Sequence, residues 1–298
     1  MKEQALTVGA MAVEALKSPM TVREAFPTTV YLGSIHGMVV LTTLGQRSPF
    51  AINLDNNGLE ISGALKPGQQ ATLRKDSLVV GDLKVDLRGA EIHNGLADLG
   101  FDAGDSFSKI ERDLILCSFT LGLLYGTVDK KDFVLTQSRE LRRFTKRVLV
   151  PFGANGASRL HEDSEYAQLL GLGSGFTPAG DDFLAGLLYI YNGLRVALNL
   201  IPLSIPESEL SQRTVWASAM FLKYAQRGAV DEGLEAVLNA VRLGNGDGLM
   251  TSILALASRG HTSGIDVSLG MILTIGALHD HLKDKNLLER MLRNLRMC

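Results

Sequence analysis

Gly171-Leu172-Gly173-Ser174-Gly175-Phe176-Thr177-Pro178-Ala179-Gly180-Asp181-Asp182-Phe183-Leu184-Ala185-Gly186 is the stretch on which the reading of this 298-residue chain turns. Glycine-dense backbone runs here into an apolar segment that continues to Ile201, broken by Asn192, Arg195 and Asn199. Thr177 suits an N-cap and Pro178 the first helical position, so a helix is predicted over 178–199. A helix that starts this way offers N–H groups and the positive end of its dipole to a phosphate or carboxylate. Gly173, Ser174, Gly175, Thr177 and Gly180 are therefore candidate anion-binding positions. Asp181 and Asp182 fall in the first turn, where they complement the dipole, bind Mg²⁺ or accept a substrate amide N–H. Neighbouring residues on a helix point about 100° apart, so at most one of the two faces a given ligand.

A second stretch has the same form. Ala257-Ser258-Arg259-Gly260-His261-Thr262-Ser263-Gly264-Ile265-Asp266-Val267-Ser268-Leu269-Gly270 leads into another apolar run. Thr262 or Ser263 suits the cap, and Asp266 stands three residues after Ser263, close to a capping box. A well-capped buried helix explains this much. Yet Arg259, His261, Thr262 and Ser263 put four polar groups at the mouth of an apolar helix, and polar groups there need partners, of which a ligand is one. Gly180 to Gly186 and Gly264 to Gly270 both read G-x-D-x-x-x-G. The match predicts that the two helices pack closely through their second glycines and open on one pocket, with Asp182 and Asp266 as counterparts. A third loop, Gly244-Asn245-Gly246-Asp247-Gly248, either only ends one helix and caps the next or brings Asn245 or Asp247 to the same pocket.

Outward from these motifs, helical periodicity runs from about residue 106 to the end. Helices are predicted over 106–125, 136–149, 164–170, 208–226, 230–243, 248–258, 263–282 and 285–296. Upstream, short β-prone runs such as Met38-Val39-Val40-Leu41-Thr42 and Phe50-Ala51-Ile52-Asn53-Leu54 alternate with turn signals. Residues 2–17 read as an opening helix. The expected fold is α+β: a small antiparallel β barrel or sandwich with an opening helix over 1–103, then a mainly helical domain over 104–298 that carries both glycine-rich motifs.

With 46% hydrophobic and 21% charged residues the chain can build a core, and its net charge of −2 gives no general pull toward nucleic acid or an anionic membrane. No apolar run reaches the roughly 20 residues of a membrane span, and the first residues do not read as a signal peptide. Cys117 sits in an apolar run and Cys298 is the last residue, so a reducing, cytoplasmic setting is expected. His36, His93, His161, His279 and His281 are scattered and form no metal-ligand motif. Arg139, Arg142, Arg143, Lys146 and Arg147 make a basic stripe at helical spacing, either a solvated face or a docking face for an acidic partner.

Two motifs carry a family resemblance: Gly173-x-Gly175-Phe176-Thr177-Pro178-x-Gly180-Asp181-Asp182-Phe183-Leu184-x-Gly186 and Gly260-His261-Thr262-Ser263-Gly264-x-Asp266. On these the chain resembles, over most of its length, a bacterial family long catalogued only as a domain of unknown function. That family includes the AllH-like subunit of oxamate carbamoyltransferase in anaerobic allantoin degradation, a branch of purine catabolism. The resemblance implies carbamoyl transfer between carbamoyl phosphate and oxamate, in concert with hetero-oligomeric partner subunits. In that chemistry Arg259 and the helix starts hold anions, the carboxylates of Asp182 and Asp266 accept amide N–H groups, and His261 polarises a carbonyl or acts as an acid. Two other readings stay open: an Mg²⁺-dependent hydrolase of a phosphorylated or ribosylated ligand built on Asp181, Asp182 and Asp266, and a non-catalytic metabolite-binding subunit.

Overall fold

The structure is a computed structural model that describes residues 2–35, 37–55, 60–61, 63, 65–95, 103–128, 135–155 and 163–296. His36, His161, Cys298, most of the 55–58 turn and the predicted domain boundary up to residue 102 lie outside these. The chain forms two compact units: Met1–Ala97 with Ala229–Glu232, and Asp98–Gly228 with Gly233–Cys298.

The first unit contains β1 (Lys2–Gly9), α1 (Ala10–Ala15), β2 (Met20–Phe26), β3 (Thr29–Gly33), β4 (Met38–Thr42), β5 (Ala51–Leu54), β6 (Gln70–Arg74), β7 (Ser77–Val80), β8 (Leu83–Asp86) and β9 (Glu91–His93). The strands run in the order β5-β4-β3-β2-β6-β7-β8-β1, and β1 pairs back onto β5 to close an eight-stranded barrel, with β9 as an extra strand on β1. Of the two β architectures expected, the barrel is the one formed. It is mixed rather than purely antiparallel, since β1–β8, β1–β9 and β4–β5 are parallel. Strand alternation fills it: Val30 and Leu32 of β3 stand opposite Leu41 and Val39 of β4, all four buried. Met20, Val22, Ile52, Leu78, Val80, Leu83 and Val85 complete the same core.

The expected opening helix over 2–17 is corrected: residues 2–9 are a strand and only Ala10–Ala15 are helical. Buried Ala5 and Val8 stand three apart, a helical spacing, and the strand buries both only because its register shifts between Ala5 and Thr7, so local pattern favours the wrong element. What decides it is pairing, because β1 satisfies its backbone against β5 on one side and β8 and β9 on the other.

The second unit is helical. Its elements are α2 (Ala103–Thr127), α3 (Arg139–Phe144), α4 (Val150–Asn155), α5 (Asp163–Tyr166), α6 (Ala179–Leu194), α7 (Glu207–Arg213), α8 (Trp216–Gln226), α9 (Glu232–Leu243), α10 (Gly246–Ala257), α11 (Ser263–Lys283) and α12 (Leu287–Asn294). A π-helical turn, Thr145–Leu149, joins α3 to α4. The helix expected over 208–226 is two, because Thr214 is extended. Arg139, Arg143, Lys146 and Arg147 are exposed while Arg142 is half-buried, so most of the basic stripe faces solvent. Among the described residues no helix is long and apolar enough to cross a membrane.

α6 and α11 form the centre of this unit. All but two residues of α6 and most of α11 are buried, as their all-round apolar sequences require. Gly186 and Gly270 make their contact possible. A Cβ at Gly186 would overlap the Val267 carbonyl oxygen, and one at Gly270 the Phe183 carbonyl oxygen. The contact is reciprocal, as the repeated G-x-D-x-x-x-G spacing implies, and it brings the two backbones into touch.

Adding one methyl at this crossing should therefore force the helices apart. Gly270→Ala is expected to cost about 2 kcal/mol of stability, within the range for overpacked cores. Gly126→Ala, on an exposed helical glycine whose added Cβ would meet nothing within 4 Å, should instead be neutral or stabilising by up to about 1 kcal/mol. Denaturant melts of both variants make the comparison.

Candidate functional site

The α6–α11 crossing puts the two helix starts side by side. Thr177, just before α6, donates from Oγ1 to Asp182 Oδ2 at 3.1 Å, and the same oxygen lies 3.0 Å from Ser263 Oγ at the start of α11. The two predicted motifs are thus in direct contact, and Asp182 lies close enough to Asp266 for the Asp266 charge to raise its pKa. The capping expected of Thr177 and Ser263 does not occur. Pro178 and Thr262 occupy the N-cap positions, neither with a side-chain cap, and the Thr177 and Ser263 hydroxyls face each other across the crossing instead.

Asp181 and Asp182 diverge, as successive helical positions must. Asp181 accepts from the Gly171 backbone N–H at 2.8 Å and from the Thr214 hydroxyl. It therefore ties the loop before α6 to the break between α7 and α8. Burial raises its pKa, against the pull of those two donors. Because Asp181 is committed there, the three aspartates do not converge. Among the described residues no group of three or more His, Cys, Asp or Glu is placed to hold a metal ion.

Asp266 is fully buried. Tyr125, near the end of α2, donates to its Oδ1 at 2.6 Å, while Oδ2 has no hydrogen-bond partner. Thr262 lies near enough to favour the ionised carboxyl, yet no donor reaches Oδ2 at hydrogen-bond distance. A buried acceptor left in this state costs about 1–3 kcal/mol. Burial lifts the Asp266 pKa to about 7, with Tyr125 and Thr262 pulling the other way. Asp182 is also held well above the carboxylate range, first by burial and then by the Asp266 charge. Tyr125, buried beside both carboxyls, stays a phenol and so a donor.

Tyr125 belongs to neither glycine-rich motif. A signal for it exists: it continues the buried Ile110, Leu114, Cys117, Leu121 face of α2, and a tyrosine on such a face needs a partner for its hydroxyl.

The other candidates are placed as follows. Gly173, Ser174 and Gly175 are exposed, with φ of 113° and 107° at the two glycines. A Cβ at Gly175 would meet nothing within 4 Å, so a substitution there acts through backbone strain rather than collision. The helix start behind this loop is less open to an anion than expected, since the Gly180 N–H already donates to Leu172 O at 2.8 Å. Gly264 is pressed against the Leu256 carbonyl and serves packing. Arg259 lays its guanidinium on Gly233 of α9, and His261 is exposed on the turn leading into α11. Asn245 and Asp247 are not brought to the cluster. Asn245 caps α10 by accepting from Gly248 N at 3.0 Å, and α10 then runs its 12 residues, about 18 Å, before the turn that leads to Asp266.

The raised carboxyl fixes a pH dependence. The unfolded chain releases the Asp266 proton near 3.8 and the folded chain near 7. Between these values the folded state binds the extra proton, so stability falls as pH rises from about 4 to about 7 and then levels, with a slope of up to about 1.4 kcal/mol per pH unit from this group. Asp266→Asn should flatten that fall, making the variant more stable than the native protein at pH 8 relative to pH 4.5. Denaturant melts across this range are the measurement, and a parallel pair of profiles would place the titration elsewhere.

A family model described as oxamate carbamoyltransferase subunit AllH matches residues 169–275, a shorter span than the resemblance led one to expect. The span contains both glycine motifs, and Tyr125 lies outside it. No curated protein and no solved structure matches the chain. Across residues 169–275, which supply α6, the start of α11 and both buried carboxyls, the chain is similar to that family.

Proposed function

We propose that the chain is a subunit of a cytoplasmic carbamoyltransferase acting on carbamoyl phosphate and oxamate, or on a closely related small amide or acid, and working with hetero-oligomeric partner subunits. The observation that carries the site assignment is the partnerless, fully buried Asp266 Oδ2 at the meeting point of two helix starts. The name of the matched family supports the reaction class. The Mg²⁺-hydrolase reading draws less support, because Asp181, one of its three carboxylates, is tied to Gly171 and Thr214.

In this reading the amide nitrogen of oxamate attacks the carbamoyl carbon. The new C–N bond forms as the carbon–oxygen bond to phosphate breaks, phosphate leaves with the electron pair, and the amide proton passes to Asp266. A carboxyl whose pKa sits near 7 suits that transfer, because a base is most effective when poised near the working pH. The exposed 173–175 loop and Arg259 are assigned to the phosphate end, away from the buried carboxyls whose charge would oppose it. His261 stands by the leaving group as the acid.

The assembly of this chain with its co-purifying partners should release phosphate from carbamoyl phosphate when oxamate is added. Asp266→Ala should lower that rate by roughly 10²–10⁴-fold, the usual contribution of a general base, with the assembly intact on gel filtration. An Asp266→Ala assembly that transfers at the native rate would move the chemistry to another subunit.

A further inference from the structure

α2 has two faces. The buried one carries Tyr125 to Asp266. The other leaves large apolar side chains in solvent: Leu116 is 41% exposed, Phe119 52% and Leu123 55%. Gly126, exposed and next on the same line, has open space where a side chain would stand. These four residues are spaced by three, four and three, the alternation that keeps one seam of a helix turned toward a second helix. Arg112, four residues before Leu116, continues the seam and is also exposed. Leu254 of α10 is 40% exposed and stands one turn beyond Met250, which touches Cys117 of α2, so it widens the apolar strip. Scattered exposed apolar residues are ordinary, whereas a continuous strip marks a contact surface.

We propose that this face is a homodimer interface, in which the α2 helices of two copies pair antiparallel along Leu116, Phe119, Leu123 and Gly126. The seam complements itself, which is what a two-fold interface requires. With the axis passing between Phe119 and Leu123, Phe119 meets Leu123 of the second copy and Leu116 fills the space over its Gly126. All four layers are then free of charge. Arg112 falls one turn beyond them, at the C-terminal end of the second α2. The last carbonyls of that helix lack helical partners, and its last turn contains no basic residue, so a guanidinium is favoured there. The residues that follow in sequence, Asp129, Lys130, Lys131 and Asp132, cancel in charge. A parallel pair would instead set Arg112 against Arg112 and leave a void between two copies of Gly126. The other antiparallel register places Arg112 against Leu123. One helix pair buries less than the roughly 1,200–2,000 Å² of a standard interface, so the dimer is a weak one.

The experiment is sedimentation velocity of the full chain over about 1 to 200 µM, the range in which a weak interface of this size assembles. Native protein is expected to move from the mass of one chain toward that of two. Phe119→Glu puts a charge in the seam and should weaken pairing at least about tenfold. Gly126→Leu is the cleaner probe. Its added Cβ meets nothing within 4 Å, and leucine favours a helix over glycine, so the monomer keeps its fold. The new side chain occupies the space that Leu116 of the second copy needs, and the dimer should be lost across the range. Register is read by crosslinking. With Cys298→Ser in both, a Leu116→Cys chain and a Gly126→Cys chain should form a disulfide with each other and neither with itself. Self-crosslinking of the Leu116→Cys chain overturns the antiparallel pairing. A native chain that stays monomeric at the highest concentration overturns the proposal, and so does a dimer that survives Gly126→Leu. If native chain is monomeric and Phe119→Glu sheds a co-purifying subunit, the face belongs to another protein and the homodimer is overturned.

Discussion

The touch between the α6 and α11 backbones governs this molecule's helical unit. With Gly186 under the Val267 carbonyl and Gly270 under the Phe183 carbonyl, the two helices approach as closely as polypeptide allows. Such proximity gives no room for side chains at the crossing, so dispersion between backbones replaces side-chain packing there. It also decides where polar residues one turn earlier must go. Asp182 and Asp266 each precede their glycine by four residues, on the same face, and so are delivered to the same place. The Thr177–Ser263 contact follows from the same geometry.

Placing acids at that point is costly in a way that the surrounding structure only partly relieves. The first turns of both helices supply positive dipole ends, which favour the carboxylates. Burial works against this and wins, as the raised pKa values of Asp182 and Asp266 record. Asp181 shows the alternative that the same residue type has when stability is served: two donors, a fixed orientation and a mechanical role. Natural proteins hold unsatisfied polar groups of the Asp266 kind chiefly where activity needs them, and accept a loss of stability there.

The relation between the two motifs was legible because the code is local and repeated: glycine, aspartate and glycine at the same intervals, each before an apolar run. The β-rich beginning was legible for a similar reason, since Val30 and Leu32 or Leu78 and Val80 alternate in short segments bounded by turn residues. Tyr125 was not singled out, because its partner is Asp266, far away in sequence and joined to it only by the packing of α2 on α11. Asn245 and Asp247 looked like site residues because a glycine-rich helix start looks the same at either end of a bundle. Only the length of α10 separates them from the cluster. Lys2–Gly9 misled for yet another reason: a register shift gives this strand a helix-like spacing of buried residues, and only its pairing with β5, β8 and β9 makes it a strand.

That first strand has a consequence for how the barrel comes into being. β1 aligns Ala5 with Leu54, Lys2 with Lys84 and Thr7 with Glu91. During synthesis it emerges before its partners and must wait for nearly the whole unit before they exist. The hairpins β2–β3 and β6–β7–β8 can zip up from local contacts, whereas ring closure has to recruit a segment across a long span of chain, the kind of step that slows folding. Until then β5 and β8 present open edges able to pair with another nascent chain. The barrel's assembly is therefore expected to be limited by the docking of β1, and its vulnerability to aggregation to be concentrated in the interval before that strand docks.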